Sequence, residues 1–468
     1  MRVSTAILAG ILALSAHAAA AQIAGGGSAA APMIGCGGDL ARLNQLSGWQ
    51  MSWPAELQAL ANRGPEQQRA ALERWRHAPA ALRMDVVALR AGLSRGDAAP
   101  APVARRVLAQ VDGLLASGPV APGLKDPEWR RLLDGELRTE IRTYARFLRR
   151  EYAPKAPPAS SLATRPGGEA CFAKAIASWT SLDLSPAEVE ALGASLLARY
   201  RAELTTLARR PPQDSAAVLD ELRARGAHGD ATRGSILSIS TAAIARAEAA
   251  TPAAFGYDRA PHLKVVPIVP ALESSLPAGF YDPATKDSPA AYQINLSRPA
   301  ERRLMAEVIA FHEGFPGHHL AFSMAQRPGV FNSGFVEGWG IYAEHLADEL
   351  NLYSSSEDRM GAVAKHLWAT SRLIVEPGLH VHGWSREKAI EFMRANTALS
   401  DDEIAIEVDR YLGVPGQSIA YMVGYAEILK ARDRTQKRQG AAFDLPAFHR
   451  ALLEPGPRSL KDLEREFP

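Results

Sequence analysis

The chain of 468 residues has almost no excess of charge: 53 Lys and Arg face 51 Asp and Glu, which leaves a formal charge of +2. Binding to nucleic acid or to an anionic membrane surface usually relies on a clear basic excess. The sequence therefore indicates neither kind of partner. Hydrophobic residues make up 47% of the chain and charged residues 22%, and these ordinary globular values argue against a mainly disordered protein.

Cysteine is also scarce, with Cys36 and Cys171 as the only two. This excludes a small scaffold held together by many disulfides, and a chain of this length can bury a large core without them. In an oxidising compartment the two cysteines are a candidate disulfide. The alternative is a pair of unpaired thiols.

Long apolar runs are absent, apart from a short one at residues 3–14 that cannot span a bilayer. It follows the positive start Met1-Arg2 and precedes small residues that end in Ala19-Ala20-Ala21, which is the pattern of a secretory signal peptide. We therefore expect a secreted protein, with the periplasm as its location and with no membrane span in the mature chain. A lipoprotein signal ending at Cys36 fits less well, because the apolar run stops well before it.

The rest of the chain predicts a mainly α protein with a small sheet near its middle. Helical spacing dominates, whereas residues 263–267 and 291–296 favour short extended segments with a Pro/Gly/Asp-rich loop between them. The predicted order is a signal peptide at 1–21, a flexible segment at 22–52, a helical region at 53–152, a Pro/Ser linker at 153–168 and a catalytic domain at 169–468.

Histidines cluster after the predicted sheet: seven of the twelve lie between His312 and His382. The pair His312-Glu313 continues an apolar helical stripe. A His-Glu pair that is followed by a second histidine on the same helix is typical of zinc peptidases. In that signature the second imidazole is four residues on, where this chain has Pro316. On an unbroken helix His318 would lie roughly 9 Å further along the axis. We expect Pro316-Gly317 to break the helix and to let a later histidine return toward His312.

A third ligand is predicted at Glu337, nineteen positions after His318. This spacing, and the context Glu337-Gly338-Trp339-Gly340, resemble the aminopeptidase-type gluzincins. The resemblance favours His318 over His319 and Glu337 over Glu344 as ligands. Three protein ligands leave an open position on one zinc ion per chain, as catalysis requires. The alternative is a cluster of histidines that only pack and form hydrogen bonds.

Three motifs together resemble a known family. They lie at 312–320 (HEGFPGHHL), 337–344 (EGWGIYAE) and 415–424 (PGQSIAYMVG). They are similar to those of the bacterial family filed as domain of unknown function 885, which looks like a group of gluzincin-type metallopeptidases. The family usually has Asp-Thr-Gly where this chain has Glu376-Pro377-Gly378. The resemblance implies a mostly helical, zincin-like fold with a small β-sheet next to the metal-binding helix, and peptidase chemistry.

Catalytic roles follow from chemistry. Glu313 is the expected general base, and Tyr421 the expected donor to a tetrahedral oxyanion, with Tyr425 one turn on as the alternate. His319 and Glu344 are predicted to support the ligands from outside the metal's own shell, although packing or surface roles remain open for both.

Substrate binding is predicted at two places. The candidates to bind a substrate carboxylate are Arg372, His380 and Arg410. Tyr292 and Asn295 belong to a segment that would pair with an extended peptide as an edge strand. The leading hypothesis is a secreted zinc metallopeptidase, with carboxypeptidase or short-peptide hydrolysis favoured. The alternatives are a non-catalytic metal- or peptide-binding envelope protein and a zinc hydrolase of a non-peptide amide.

Overall fold

The computed structural model describes residues 42–118, 121–158, 161–268, 270, 273, 277–284, 289–327 and 329–468. The predicted signal peptide at 1–21 and Cys36 lie outside these residues, as does most of the predicted flexible segment. The chain divides into two compact units. Unit 1 comprises the described residues up to Arg165 together with 409–414, and unit 2 comprises 166–408 and 415–468.

Unit 1 is helical. Its α-helices are α1 Trp49–Ala61, α2 Pro65–Trp75, α3 Ala78–Ser94, α4 Ala101–Ala116, α5 Pro127–Arg130, α6 Arg138–Phe147 and α7 Ala153–Lys155. The last three are joined by π-helical segments at Arg131–Leu137 and Leu148–Tyr152, and a 3-10 turn follows at Leu162–Thr164.

Four buried tryptophans form the centre of unit 1. The ring centroids of Trp49 and Trp53 are 5.2 Å apart, those of Trp53 and Trp75 are 5.4 Å apart, and those of Trp75 and Trp129 are 6.4 Å apart. These rings come from the three helices α1, α2 and α5, and contacts at such spacings stabilise a core beyond their buried area. Unit 1 thus has a core of its own.

Unit 2 contains most of the described helices and all of the described strands. In order they are α8 Gly168–Thr180, α9 Pro186–Leu207, α10 Ser215–His228, α11 Arg233–Phe255, β1 Lys264–Pro267, β2 Gly279–Asp282, β3 Ala291–Ile294, α12 Pro299–Arg303, α13 Ala306–Glu313, α14 His318–Met324, α15 Ser333–Glu349, α16 Ser356–His380, α17 Arg386–Asn396, α18 Asp401–Gly413, α19 Ala420–Gln439, α20 Leu445–Leu453 and α21 Leu460–Glu466. Short 3-10 turns lie at Pro212–Asp214, Gln417–Ile419 and Gly440–Ala442. The C-terminal part of α18 belongs to unit 1.

Local signals account for where several of these helices begin. Ser185 accepts a hydrogen bond from the backbone of Glu188, whose carboxylate accepts one from the backbone of Ser185. This capping box satisfies two donors that the first turn would leave unpaired. The predicted fold class, mainly α with a small sheet, is confirmed.

The sheet has three strands in the order β1-β3-β2. β1 pairs with β3 in parallel, with Lys264 opposite Ala291, and β2 pairs with β3 in antiparallel, with Tyr281 opposite Tyr292. β3 therefore has a partner on both sides, and β2 forms one edge.

Two expectations about this sheet were wrong. The segment between the predicted strands is not only a loop, because it contains β2. The segment with Tyr292 and Asn295 is not an edge strand, because β1 and β2 occupy both of its sides. Among the described strands β1 and β2 form the two edges, and β2 is the strand that the sequence reading missed, because its four residues are flanked by Pro277 and Pro283.

Close helix packing in unit 2 depends on glycine. A Cβ atom at Gly424 on α19 would lie 1.8 Å from the carbonyl oxygen of Gly334 on α15. A Cβ atom at Gly338 would lie 2.4 Å from the backbone of Gly424. The two backbones can approach this closely only because neither glycine has a side chain. None of the described helices is long and apolar enough to cross a membrane.

Candidate metal centre

The candidate metal centre lies at a break in a helix. α13 ends at Glu313 and α14 begins at His318, and the peptide bond between Phe315 and Pro316 in the intervening turn is cis. A Cβ atom at Gly317 would lie 1.9 Å from the carbonyl oxygen of His312, so only glycine fits there. The predicted break is confirmed, and it brings the His312 and His318 ring centroids to 4.6 Å from each other.

Three buried side chains converge at this break. Oε2 of Glu337 on α15 lies 3.4 Å from Nε2 of His312 and 3.7 Å from Nε2 of His318. One donor atom from each residue lies within 4.8 Å of the others. Ligands about 2.1 Å from one tetrahedral zinc would be about 3.4 Å apart. The donor set and its spacing therefore fit a divalent ion such as zinc.

A carboxylate fixes the orientation of His312. Nδ1 of His312 lies 2.6 Å from Oε1 of the fully buried Glu344, which is also in contact with the Lys365 ammonium group. Nε2 of His366 lies 3.0 Å from Oε2 of the same carboxylate. Since Nδ1 of His312 is held by Glu344, its Nε2 is left to face Glu337.

Gly340 leaves the space that the His312 ring occupies. A Cβ atom at this position of α15 would lie 2.3 Å from Cε1 of the His312 ring. The adjacent Trp339 donates its indole N–H to the carbonyl oxygens of Pro316 and Gly317, both at 3.1 Å. α15 thus supplies the Glu337 carboxylate, leaves space for the His312 imidazole, and holds the turn before α14 in place through Trp339.

The charges of the centre are strongly coupled. Burial alone would raise the pKa of Glu337, but hydrogen bonds from His312 and His318 hold that pKa well below its usual range. Burial and the charge of Lys365 lower the pKa of His312, but contacts with Glu337 and Glu344 outweigh them and raise it to about 9. In the absence of a cation, the His312 imidazolium partly balances the two carboxylates.

Glu313 lies beside the donors rather than among them. Its carboxylate Oε2 accepts a hydrogen bond from the backbone N–H of Tyr281 on β2 at 2.9 Å, and its side chain is almost completely buried. Burial raises the pKa of Glu313, although His312 and His318 oppose that effect. This arrangement places a carboxylate of increased basicity at the metal centre, supported by the edge strand.

Tyr281 is a residue that sequence reasoning missed. Its ring stacks on Phe322 at 5.8 Å, and its hydroxyl lies 3.2 Å from Nδ1 of His319. The adjacent aromatic residues Phe280 and Tyr281 are of types enriched in strands and could have indicated one. Lys365 and His366 were missed too, and nothing near them in the sequence signals their contacts with Glu344.

His319 faces away from the three donors. Its Nε2 lies 2.7 Å from the carbonyl oxygen of Pro261, and its Nδ1 faces Tyr281. Burial lowers the pKa of His319, which favours a neutral ring. Of the two adjacent histidines, His318 is therefore the one that the fold places in the cluster.

The rings of His312 and Tyr421 and the guanidinium of Arg372 form a stack. The Tyr421 ring lies 6.3 Å from the His312 ring at an interplanar angle of 19°. The Arg372 guanidinium lies 4.8 Å from the Tyr421 ring centroid and 4.5 Å from that of Trp368. It also donates to Glu407 at 3.0 Å. Arg372 is thus enclosed by two rings and a carboxylate.

A family model described as "Bacterial protein of unknown function (DUF885)" matches residues 2–467. The chain belongs to the bacterial DUF885 family. It is also similar to two solved structures. "The crystal structure of the putative lipoprotein from Colwellia psychrerythraea" is 20% identical, with a TM-score of 0.78 over 91% of this chain and 80% of that one. "The structure of a putative lipoprotein of unknown function from Shewanella oneidensis" is 18% identical, with a TM-score of 0.63 over 91% and 82%. No curated protein matches the chain.

The other predicted site residues of this DUF885 protein are not among the three donors. Tyr425 is buried, with its ring centroid 6.3 Å from His366 and 6.0 Å from His345. His380 is fully buried, 5.1 Å from the Phe172 ring. Arg410 belongs to the 409–414 segment of unit 1.

Tyr292 and Asn295 are each 1% exposed. The Asn295 amide donates to the backbone carbonyls of Glu273 and Pro277, at 2.8 and 3.0 Å. Cys171 lies in α8 and its predicted partner Cys36 lies outside the described residues, so the disulfide stays a prediction. Cys171, Tyr292 in β3 and Asn295 just after β3 complete the predicted set.

Glu376, where the sequence departs from the family pattern, holds the turn before α19. Its carboxylate accepts hydrogen bonds from the backbone N–H groups of Gly416 and Ser418 and from the Ser418 hydroxyl. The 3-10 turn at Gln417–Ile419 leads directly into the helix that carries Tyr421. The DUF885 chain thus uses a fully buried carboxylate to fix the start of that helix.

Proposed function

We propose that this DUF885 protein is a zinc-dependent metallopeptidase of the cell envelope with a zincin-like fold. The observation that carries the proposal is the buried convergence of His312, His318 and Glu337, with Glu313 beside them on the same helix as His312. Three protein donors leave a position for water or substrate on a zinc ion. When bound there, zinc would supply a Lewis acid that polarises a carbonyl group and makes water more acidic.

The protein's own groups provide the proton transfer. Glu313 takes a proton from the attacking water and passes it to the leaving amine. Because burial raises its pKa, the carboxylate binds that proton more readily than a solvated glutamate would. The N–H of Tyr281 orients it, and the half-buried Tyr421 donates its hydroxyl hydrogen toward the developing oxyanion.

The open edge of β2 supports a peptide as substrate. Among the described residues β3 is paired on both sides, whereas β2 has one partner in the sheet, and the N–H of its Tyr281 is bonded to Glu313. An extended peptide that adds to such an edge gains backbone hydrogen bonds whatever its sequence. The scissile bond would then lie beside the proton-transfer group.

The expected location is the periplasm. The signal-peptide pattern at 1–21 supports export. The two similar structures carry the word lipoprotein in their titles. Both observations favour an envelope or secreted protein.

Replacement of Glu313 by Gln tests the proposed reaction. The Glu313→Gln variant should retain zinc, because Glu313 is not among the three donors, and should lose about 10²- to 10⁴-fold in peptide hydrolysis. Hydrolysis of a fluorogenic peptide library and zinc content by mass spectrometry measure the two effects. The exposed Glu391→Gln on α17 is the matched control. Full turnover in Glu313→Gln would remove this residue from the mechanism.

A further inference from the structure

His319 follows the predicted ligand His318 directly but is not one of the three donors. Its side chain is buried and contacts three separate segments of unit 2. The ring of Phe315, in the turn before α14, lies 4.8 Å away at an interplanar angle of 80°. The carbonyl oxygen of Pro261, before β1, and the hydroxyl of Tyr281 on β2 each contact one of its two nitrogens. The orientation of this imidazole is therefore fixed.

The two hydrogen bonds of His319 have a defined direction. A backbone carbonyl oxygen can only accept, so Nε2 of His319 carries the hydrogen and donates it to Pro261 at 2.7 Å. Nδ1 of the neutral ring then presents a lone pair and accepts from the Tyr281 hydroxyl at 3.2 Å. The hydroxyl of Tyr281 is thus held by a side chain of α14.

The aromatic ring of Tyr281 is held by the same helix. It stacks on Phe322 with the ring centroids 5.8 Å apart and the planes 8° from parallel. Phe322 and His319 both lie on α14, whose first residue is His318. The position of Tyr281 on β2 is therefore set relative to the helix that carries one of the three donors.

The backbone of Tyr281 contacts the proposed proton-transfer group. Its N–H donates to Oε2 of Glu313 at 2.9 Å. Within the described part of the chain, this is the one hydrogen bond that the Glu313 carboxylate accepts. The orientation of that carboxylate consequently depends on where β2 places the N–H of Tyr281, and His319 holds the other end of the same residue.

We propose that His319 is a positioning residue for proton transfer. Through the hydroxyl of Tyr281 it keeps the backbone N–H of that residue, and with it the Glu313 carboxylate, at a fixed place beside the donors. The inference rests on the proposed function for the reaction that Glu313 performs. This role differs from support of a metal ligand, because the two nitrogens of His319 face Pro261 and Tyr281.

Removal of a single oxygen atom tests the link. Tyr281→Phe keeps the ring that stacks on Phe322 and loses the hydrogen bond to His319. It should lower kcat for peptide hydrolysis about 10-fold while KM changes less than about twofold, because a misplaced proton-transfer group costs rate and not substrate binding. Zinc content should stay at about one per chain. An unchanged kcat would overturn the inference.

Tyr257→Phe is the matched control. The Tyr257 hydroxyl also donates to α14, to the carbonyl oxygen of Ser323 at 2.7 Å, but Tyr257 lies between α11 and β1 and not in β2. This variant should keep both kcat and KM. A loss in Tyr257→Phe as large as that in Tyr281→Phe would show that any tyrosine bond to α14 has the same effect, and would overturn the specific role of His319.

His319→Gln removes the same hydrogen bond from its other end. The glutamine amide nitrogen can replace Nε2 as the donor to Pro261, but no acceptor then occupies the position of Nδ1. Its kcat should fall as in Tyr281→Phe, and the variant with both changes should be no slower than either single variant. Losses that multiply in the double variant would contradict a shared link.

A positional role also predicts how Tyr281→Phe behaves without the carboxylate. In the Glu313→Gln background it should cause no further loss of residual turnover, because the link acts through Glu313. A general structural defect would lower turnover by the same factor in both backgrounds. Equal factors would therefore overturn the inference.

Amide hydrogen exchange tests the link without turnover. In a chain labelled with nitrogen-15 tyrosine, the Tyr281 amide signal is assigned by its absence from Tyr281→Phe. That amide should exchange about 10-fold faster in His319→Gln than in the unmodified chain, because a strand with fewer contacts opens more often. Tyr257→Phe should leave the rate unchanged. Equal rates in His319→Gln and the unmodified chain would overturn the link.

The outcomes separate the two proposals. Faster exchange in His319→Gln, with no hydrolysis by the unmodified chain, would support the link between His319 and β2 and overturn the peptidase function. Hydrolysis by the unmodified chain, with full kcat in both Tyr281→Phe and His319→Gln, would support the peptidase function and overturn the positioning role.

Discussion

Glu344 is the residue on which the order of the metal centre depends most. It is fully buried and contacts His312, Lys365 and His366 at once. Burial would raise the pKa of Glu344, but the Lys365 charge and hydrogen bonds from both histidines hold it well below the usual range. Glu344 is thus a buried, negatively charged carboxylate that holds Nδ1 of His312 and leaves its Nε2 facing the proposed metal site.

Loss of that charge should weaken metal binding. Glu344→Gln keeps the side-chain shape but no longer accepts as strongly from His312, so zinc affinity should fall about 10- to 100-fold. Competition with a chromophoric chelator measures the affinity, and circular dichroism checks the fold. Glu349→Gln, on the same helix but at an exposed position, is the control. Equal affinities for both variants would show that Glu344 does not support the site.

Metal binding should also release a proton. The pKa of His312 is raised to about 9 without metal, so its ring is charged at pH 7.5. Zinc binds only the neutral ring, and the proton must leave. Affinity should therefore increase with pH from 7 up to about 9 and then level off. Calorimetry at pH 7.5 in buffers of different ionisation enthalpy counts the protons; a count of zero would contradict the coupling.

At the scale of elements, the turn between α13 and α14 decides whether the site exists. It interrupts the helix between Glu313 and His318, brings the rings of His312 and His318 together, and accepts hydrogen bonds from the Trp339 indole N–H. Gly317 is the position where the turn cannot accept a side chain.

Gly317→Ala should therefore destabilise the chain and abolish zinc binding. The new methyl group would lie 1.9 Å from the His312 carbonyl oxygen, so the backbone that carries the first ligand must move. A loss of about 1–3 kcal/mol in the free energy of unfolding is expected. Thermal and chemical denaturation measure it. Gly113→Ala, in α4 with no atom near the added Cβ, should be neutral or slightly stabilising. Normal zinc binding by Gly317→Ala would disprove the steric argument.

The helices and strands also show which features of the fold and of the candidate site could be predicted from the sequence. Helix starts such as Ser185, with its capping box, are encoded in neighbouring residues and were predictable. So were His312, His318 and Glu337, because their spacing along the chain carries the signal. β2 was missed because four residues between prolines give too short a pattern. Lys365 reaches Glu344 from α16, and only the packing of helices reveals such a contact.

At the scale of the whole molecule, all three donors and the groups around them belong to unit 2. The family match spans both units, from residue 2 to residue 467. The helical unit 1 has its own tryptophan core and contains none of the three donors. The proposed metal site therefore belongs to one unit, and its metal binding can be tested on the full chain.

The most direct test is the zinc content of the purified chain, measured by mass spectrometry beside His318→Ala and His319→Ala. We expect about one zinc per chain in the unmodified protein and loss of that zinc in His318→Ala. His319→Ala should retain it, because His319 faces Tyr281 and Pro261 instead of the donors. Zinc retained by His318→Ala, or no metal after reconstitution of the unmodified chain, would contradict the metal centre.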